Sequence, residues 1–136
     1  MPGSLIKKTI YDIPLIFQDK IYLSYPTLPS DRKPSGIKEF NALAQKYNIS
    51  LKFPIAQIHA FLSAKVLVEG IKRSGRQLSR ARLVTELEGL LQFETGLSQP
   101  ITFHANRRVG ALGAYVVAVD LEEKTFRPAG DWIKLE

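Results

Sequence analysis

The chain has 136 residues, 45% of them hydrophobic, and carries a formal net charge of +6. This length is sufficient for one globular domain with a hydrophobic core but is short for two domains that each have a core of their own. The absence of cysteine excludes disulfides, zinc–thiolate sites and thiol catalysis. No apolar run is long enough to span a membrane, and no signal peptide is recognisable at the start.

We interpret residues 1–19 as an N-terminal extension whose first four residues resemble a start or cloning remnant, and residues 20–136 as the folded portion. Residues 21–25 are rich in β-branched and aromatic side chains and predict a strand that ends at Pro26. The following proline-rich segment, residues 26–35, predicts a loop. Ser35 is then the expected N-cap of a helix whose buried stripe is Ile37, Phe40, Ala44 and Tyr47.

A second helix is predicted to begin at Pro54, because proline is favoured in the first turn, and to end at Gly75. Apolar residues cover most of its surface, and only a narrow polar stripe, formed by Lys65, Glu69 and Lys72, is expected to face solvent. We therefore expect this helix to be mostly buried.

A third helix is predicted for residues 79–90, followed by short strands at residues 100–104 and 114–119. The second of these is an uninterrupted apolar run, typical of a strand covered on both faces. Residues 124–127 are expected to pair back as a hairpin. The predicted fold class is α/β, with about three helices packed on a small sheet.

Catalytic chemistry has little support in the sequence. The two histidines, His59 and His104, are too few for a metal site, which usually has three or four ligands. His59 and Ser63 have the i, i+4 spacing of a hydrogen-bonded pair, but no acidic residue is placed to orient the imidazole. We therefore expect a structural histidine, no enzyme activity, no catalytic residue, no metal and no cofactor.

The basic residues that follow the second helix, including Arg76, Arg80 and Arg82, raise the possibility of nucleic-acid binding through phosphate contacts. No aromatic residue lies between Phe61 and Phe93 to stack on bases. A solvated helix face is the preferred interpretation, and no nucleic-acid partner is expected. A basic binding module is a third functional possibility.

Several segments, in order and spacing, resemble one protein family. They are residues 22–26 (YLSYP), 29–31 (PSD), 39–40 (EF), 64–75 (AKVLVEGIKRSG), 83–90, 93–96 (FETG), 100–103 (PITF) and 113–117 (GAYVV). Together they look like the later part of the periplasmic substrate-binding proteins of branched-chain amino acid ABC transporters.

The resemblance implies a two-lobed, hinged protein of the type I periplasmic binding fold that is longer than this chain. Ligands of that family lie between the lobes and are held mainly by residues from the earlier part of the chain, which this sequence lacks. By analogy, Ser24, Pro26 and Pro29 are hinge candidates. The positions that still face such a cleft are Tyr25 and the start of the long helix at Gln57 and His59. The preferred interpretation for Gln57 and His59 is that Gln57 is exposed and His59 is packed, because single polar residues on a buried helix are usually satisfied locally.

The leading hypothesis is therefore the C-terminal portion of a periplasmic solute-binding protein that binds an amino-acid-like ligand and delivers it to an ABC permease. The alternative is a small sensory or interaction domain derived from the same fold. A portion that lacks sheet neighbours exposes strand edges and apolar helix surface, so we also expect a homo-oligomer. The sequence does not identify the ligand.

Overall fold

The computed structural model describes residues 8–135. Residues 1–7, which include the predicted start or cloning remnant, lie outside this range. The described chain is mixed α/β, with three helices and a small antiparallel sheet, and so confirms the predicted fold class. The elements in chain order are β1 (Tyr22–Tyr25), α1 (Pro34–Lys46), α2 (Pro54–Ser74), α3 (Arg80–Glu88), β2 (Gly113–Asp120), β3 (Thr125–Pro128) and β4 (Ile133–Lys134), with short 3-10 turns at Lys8–Asp12, Leu15–Phe17, Pro29–Asp31 and Gly75–Gln77.

The chain divides into two compact units. One, here called the sheet unit, consists of residues 8–28 and 112–135 of the described chain; the other, the helical unit, is Pro29–Ala111. The chain therefore passes from one unit to the other twice.

In the sheet unit, β2 is the central strand. It pairs antiparallel with β1, where Tyr25 lies opposite Tyr115, and antiparallel with β3, while β4 pairs with its first residues. Alternate residues of β2 are buried, among them Val117 and Val119. The other face of this strand is only partly covered, in contrast to the expectation of full coverage on both faces.

The hairpin between β2 and β3 confirms the pairing expected for residues 124–127. It is organised by the buried carboxylate of Asp120, whose Oδ1 accepts hydrogen bonds from the backbone N–H groups of Glu122 and Glu123, both at 3.1 Å. Gln18 donates to the same oxygen at 3.2 Å, and Arg127 lies 3.0 Å from Oδ2. The backbone hydrogen bond from Glu123, with those from Gln18 and Glu122 and the charge of Arg127, lowers the pKa of Asp120 against the opposing effect of burial.

In the helical unit, α1 begins two residues earlier than predicted. Its N-cap is Lys33 and not Ser35, because Pro34 occupies the first turn, where a missing N–H costs nothing. The predicted buried stripe is only partly correct. Ala44 is buried and Phe40 packs on the core, whereas Ile37 and Tyr47 are exposed.

Helix α2 begins at Pro54 and ends before Gly75, which has a φ of 60°, as predicted. The prediction that it is mostly buried is wrong. Ile58 and Leu62 face the core, but Leu67 and Val68 are each 47% exposed and Ile71 is 39% exposed. The polar stripe that was predicted to face solvent is instead partly covered, because Lys65 bonds to Glu39 of α1 at 2.6 Å and to the carbonyl of Thr95 at 3.1 Å.

Helix α3 begins where the third helix was predicted, and Ser79 caps it: its hydroxyl accepts a hydrogen bond from the backbone N–H of Arg82 at 3.1 Å. It packs on α2 at Gly70, where Leu83 and Leu87 lie so close that a methyl group would be crowded. The strand predicted for residues 100–104 does not form. That segment makes two isolated bridges, Phe93 with Ile101 and His104 with Arg107, because it folds back on its own loop.

None of the helices described is long and apolar enough to cross a membrane.

Candidate functional site

The first of the three ligand-cleft candidates, Tyr25, ends β1 in the sheet unit and is buried. Its ring lies 5.9 Å from that of Phe126 on β3, and its strand partner is Tyr115. Burial, and then the neighbouring Tyr11, raises the pKa of its hydroxyl. The residue therefore packs in the sheet unit and keeps its hydroxyl neutral over the ordinary pH range.

The hinge candidates lie around the first passage between the two units. Ser24 is exposed on β1 opposite Val116, and Pro26 is exposed directly after the strand. Pro29 begins a 3-10 turn and is the first residue of the helical unit.

Gln57 bonds to the backbone at the start of α2. The N–H of Phe53, the N-cap residue, donates to Gln57 Oε1 at 3.2 Å, and Gln57 Nε2 donates to the carbonyl of Ser50 at 2.7 Å. The side chain thus satisfies the N–H of the N-cap residue, which has no intrahelical partner, and bonds the preceding loop to the helix through the carbonyl of Ser50. These contacts are those of a capping residue.

His59 is half-buried on the next turn of α2. Burial, followed by the positive charge of Arg32, lowers the pKa of its imidazole and favours the neutral form. Ser63 does not bond to the ring; its hydroxyl donates to the backbone carbonyl of His59 at 3.0 Å. The i, i+4 spacing in the sequence therefore reflects a backbone contact and not a nucleophile–base pair.

The three candidates do not form one cluster within either unit, since Tyr25 belongs to the sheet unit and Gln57 and His59 to the helical unit. Among residues 8–135, no group of three or more histidine, aspartate or glutamate side chains is placed to hold a metal ion.

A charged cavity of about 180 Å³ lies at the start of α1, beside the turn at Thr95 and Gly96. Its four charges are paired internally: Lys33 with Glu94, and Lys65 with Glu39. We interpret these pairs as contacts that hold the turn against the two helices. The lining consists of Lys33, Ser35, Gly36, Glu39, Lys65, Glu94, Thr95 and Gly96.

A second cavity, of about 190 Å³, lies between α2, α3 and the loop after Ile101. Its walls are apolar, and its rim carries one glutamate and two arginines. The walls are Val66, Val84, Leu87 and Phe103, and the rim is Glu88, Arg107 and Arg108. We call this the apolar cavity.

The apolar cavity could not be predicted from the sequence, because its walls come from three separate segments. The one signal in the sequence is the adjacent pair Arg107 and Arg108, which follows a short β-prone segment and precedes a glycine turn. In the helical unit this pair lies at the rim because the bridge between His104 and Arg107 reverses the chain there.

The rim arginines differ in how firmly they are held. Arg107 donates from Nε to the carbonyl of Val109 at 3.1 Å and from Nη2 to the carbonyl of Gly110 at 3.2 Å. Arg108 is 72% exposed and makes one contact, 2.9 Å from Nη2 to Glu88 Oε1. Two other arginines of the basic region are paired along their own helices, Arg73 with Glu69 and Arg82 with Glu86.

Comparison with known proteins identifies no relative: no family model matches the chain, and no curated protein or solved structure shows a significant match. The family resemblance therefore depends on the segments quoted from the sequence alone.

Proposed function

We propose that this chain is the C-terminal portion of a periplasmic solute-binding protein for branched-chain amino acids or related small polar ligands. Its role is to bind and deliver a ligand to an ABC permease without chemical conversion. The residues that read the ligand belong mainly to the earlier part of the complete protein.

One observation carries the proposal. The chain consists of two compact units and passes between them at Leu28–Pro29 and again at Ala111–Leu112. A hinged binding protein is built in this way, because a few residues between compact bodies absorb the change in backbone angles. The first passage directly follows the hinge candidates Ser24 and Pro26.

The contacts of the ligand-cleft candidates refine the proposal. Tyr25 and His59 remain candidates, as a buried phenol and a half-buried neutral imidazole. The amide oxygen and nitrogen of Gln57 already bond to the backbone of Phe53 and Ser50, so a ligand would have to replace these capping hydrogen bonds. We therefore expect Gln57 to contribute to stability rather than to ligand recognition.

The proposal can be tested by calorimetric titration of the 136-residue chain with leucine, isoleucine, valine and their amides. Weak or undetectable binding is expected, because the principal contacts lie elsewhere in the complete protein. Micromolar affinity of this chain alone would contradict that assignment.

A second candidate function, an interaction module that self-associates, is favoured by the exposed apolar face of α2. Leu67, Val68 and Ile71 lie on adjacent turns and are 39–47% exposed, so they form an exposed apolar stripe on this 21-residue helix. A second copy of the chain is the proposed occupant, because one apolar stripe packs on its symmetry mate in a twofold dimer.

Light scattering tests this self-association. We expect the native chain to be a dimer or larger at high concentration, and a variant with Leu67→Lys and Ile71→Lys to be monomeric. Leu51→Lys is the matched control, since Leu51 has similar exposure but lies off the helix. A native chain that stays monomeric would contradict the proposal.

A further inference from the structure

We propose that the apolar cavity is a binding site for a small aliphatic carboxylate, whose hydrocarbon body lies among Val66, Val84, Leu87 and Phe103 and whose carboxylate lies at Arg107 and Arg108. This inference concerns the helical unit alone and does not depend on the proposed solute-binding function.

The size of the cavity limits the ligand. The cavity has a volume of about 190 Å³. It is smaller than the ~300–1,000 Å³ typical of sites for drug-sized ligands. This space matches a branched or straight aliphatic chain of about five or six carbons with one head group.

The walls favour a hydrocarbon body. All four wall side chains are apolar, and each is half-buried, so each still presents surface to the cavity. A ligand that covers this surface is stabilised in proportion to the apolar surface removed from water. A fully polar ligand of the same size would lose its hydration without that gain.

The rim favours an anionic head group. Two arginines and one glutamate leave a net charge of +1 at the mouth of the cavity. A carboxylate complements that charge, and guanidinium groups bind carboxylates through paired N–H donors. The additional ammonium group of a free amino acid would lie beside this positive rim, so we expect the plain carboxylate to bind more tightly.

Arg107 is held in place before any ligand arrives. Its bonds to the carbonyls of Val109 and Gly110 use two of the five N–H donors of a guanidinium and fix its plane. Gly110 in turn lies directly against the wall, because a methyl group there would come within 2.6 Å of Ile101 and 2.9 Å of Phe103. The arginine and the wall are therefore positioned by the same turn.

Arg108 is able to change partner. Its single contact with Glu88 is an ion pair in which Arg108 is 72% exposed, and ion pairs at the surface contribute little to stability. A carboxylate seated in the cavity competes with Glu88 for this guanidinium at little cost.

The test is an NMR titration of the full chain with isocaproate, with acetate and isohexanol as probes that lack the hydrocarbon body and the charge, respectively. We expect saturable shifts in the backbone signals of residues 84–88 and 103–110, and at least about tenfold weaker binding for either control probe. Leucine is titrated in parallel and is expected to bind more weakly than isocaproate.

Two variants locate the site. Arg108→Gln removes an exposed charge, and Val84→Phe fills the cavity; each is expected to weaken isocaproate binding at least about tenfold. Arg82→Gln is the control, because it removes the same charge from an exposed position on α3. The proposal is overturned if isocaproate gives no saturable shifts, if both variants bind like the native chain, or if leucine binds as tightly as isocaproate.

Discussion

The backbones of Gly36 and Gly96 are in direct contact: a methyl group on the Cα of Gly36 would lie only 2.4 Å from the carbonyl oxygen of Gly96. The same carbonyl accepts a hydrogen bond from the N–H of Lys33 at 2.8 Å, so it satisfies one of the free donors at the start of α1. Only glycine can therefore occupy position 36 without disturbing this contact.

Gly36→Ala is expected to lower the free energy of unfolding by about 1–3 kcal/mol, the usual cost of overpacking, because the obstacle is backbone and cannot rotate away. Chemical denaturation monitored by circular dichroism measures this change. Gly89→Ala is the matched control: Gly89 has a φ of −86°, and the nearest atom to its added methyl lies at 3.5 Å. Equal stability of the two variants would contradict the contact.

Gln57→Ala is expected to destabilise the chain by about 0.5–2 kcal/mol, the range measured for loss of a helix cap, because the N–H of Phe53 and the carbonyl of Ser50 lose their partner. Gln45→Ala, at an exposed position of α1, is the control for the change in side chain and should have little effect. Thermal unfolding compares the two. A variant at residue 57 as stable as the control would show that the cap does not contribute.

The lowered pKa of the His59 imidazole makes the stability of the chain depend on pH. Because its pKa in the folded chain is lowered below the ordinary value of about 6.5, the unfolded chain binds more protons as the pH falls through that range. The stabilisation is complete above the unfolded pKa and decreases below it, by less than about 1 kcal/mol for a half-exposed group.

The free energy of unfolding should therefore fall from pH 7.5 to pH 5.5, and His59→Gln should remove that fall. His104→Gln, at an exposed position, should leave it unchanged. A fall of the same size in both variants would assign the pH dependence to another group.

In the sheet unit, the folded structure favours the charged form of Asp120, whereas it favours the neutral form of His59. The pKa of Asp120 is lowered in the folded chain, so its contribution is present above the unfolded value of about 3.9 and is lost as the pH falls through the folded value. Asp120→Asn should therefore lower the melting temperature at pH 7, and its difference from the native chain should shrink below about pH 4. Asp131→Asn, an exposed change of the same charge, should show neither effect.

Local signals in the sequence predicted the helices well. Pro54 and Gly75 mark the ends of α2, and Ser79 caps α3, because these residues act through their own backbone geometry or through groups two or three positions away. The strand at residues 22–25 and the hairpin after Asp120 follow from the same kind of local information.

Burial could not be predicted in the same way, since it depends on which elements meet. The apolar residues Leu67 and Ile71 are exposed, and Lys65 is partly covered because Glu39 and Thr95 lie beside it. The apolar cavity has the same origin: no local pattern brings Val66, Val84 and Phe103 together.

The most direct test of the proposed function is a calorimetric titration of the native polypeptide, captured from its source cells with an antibody against this chain, with leucine, isoleucine and valine. We expect a polypeptide that is heavier than the 15.3 kDa of this chain and that binds at least one of the three amino acids saturably. A native polypeptide that gives no saturable heat with any of them would contradict it.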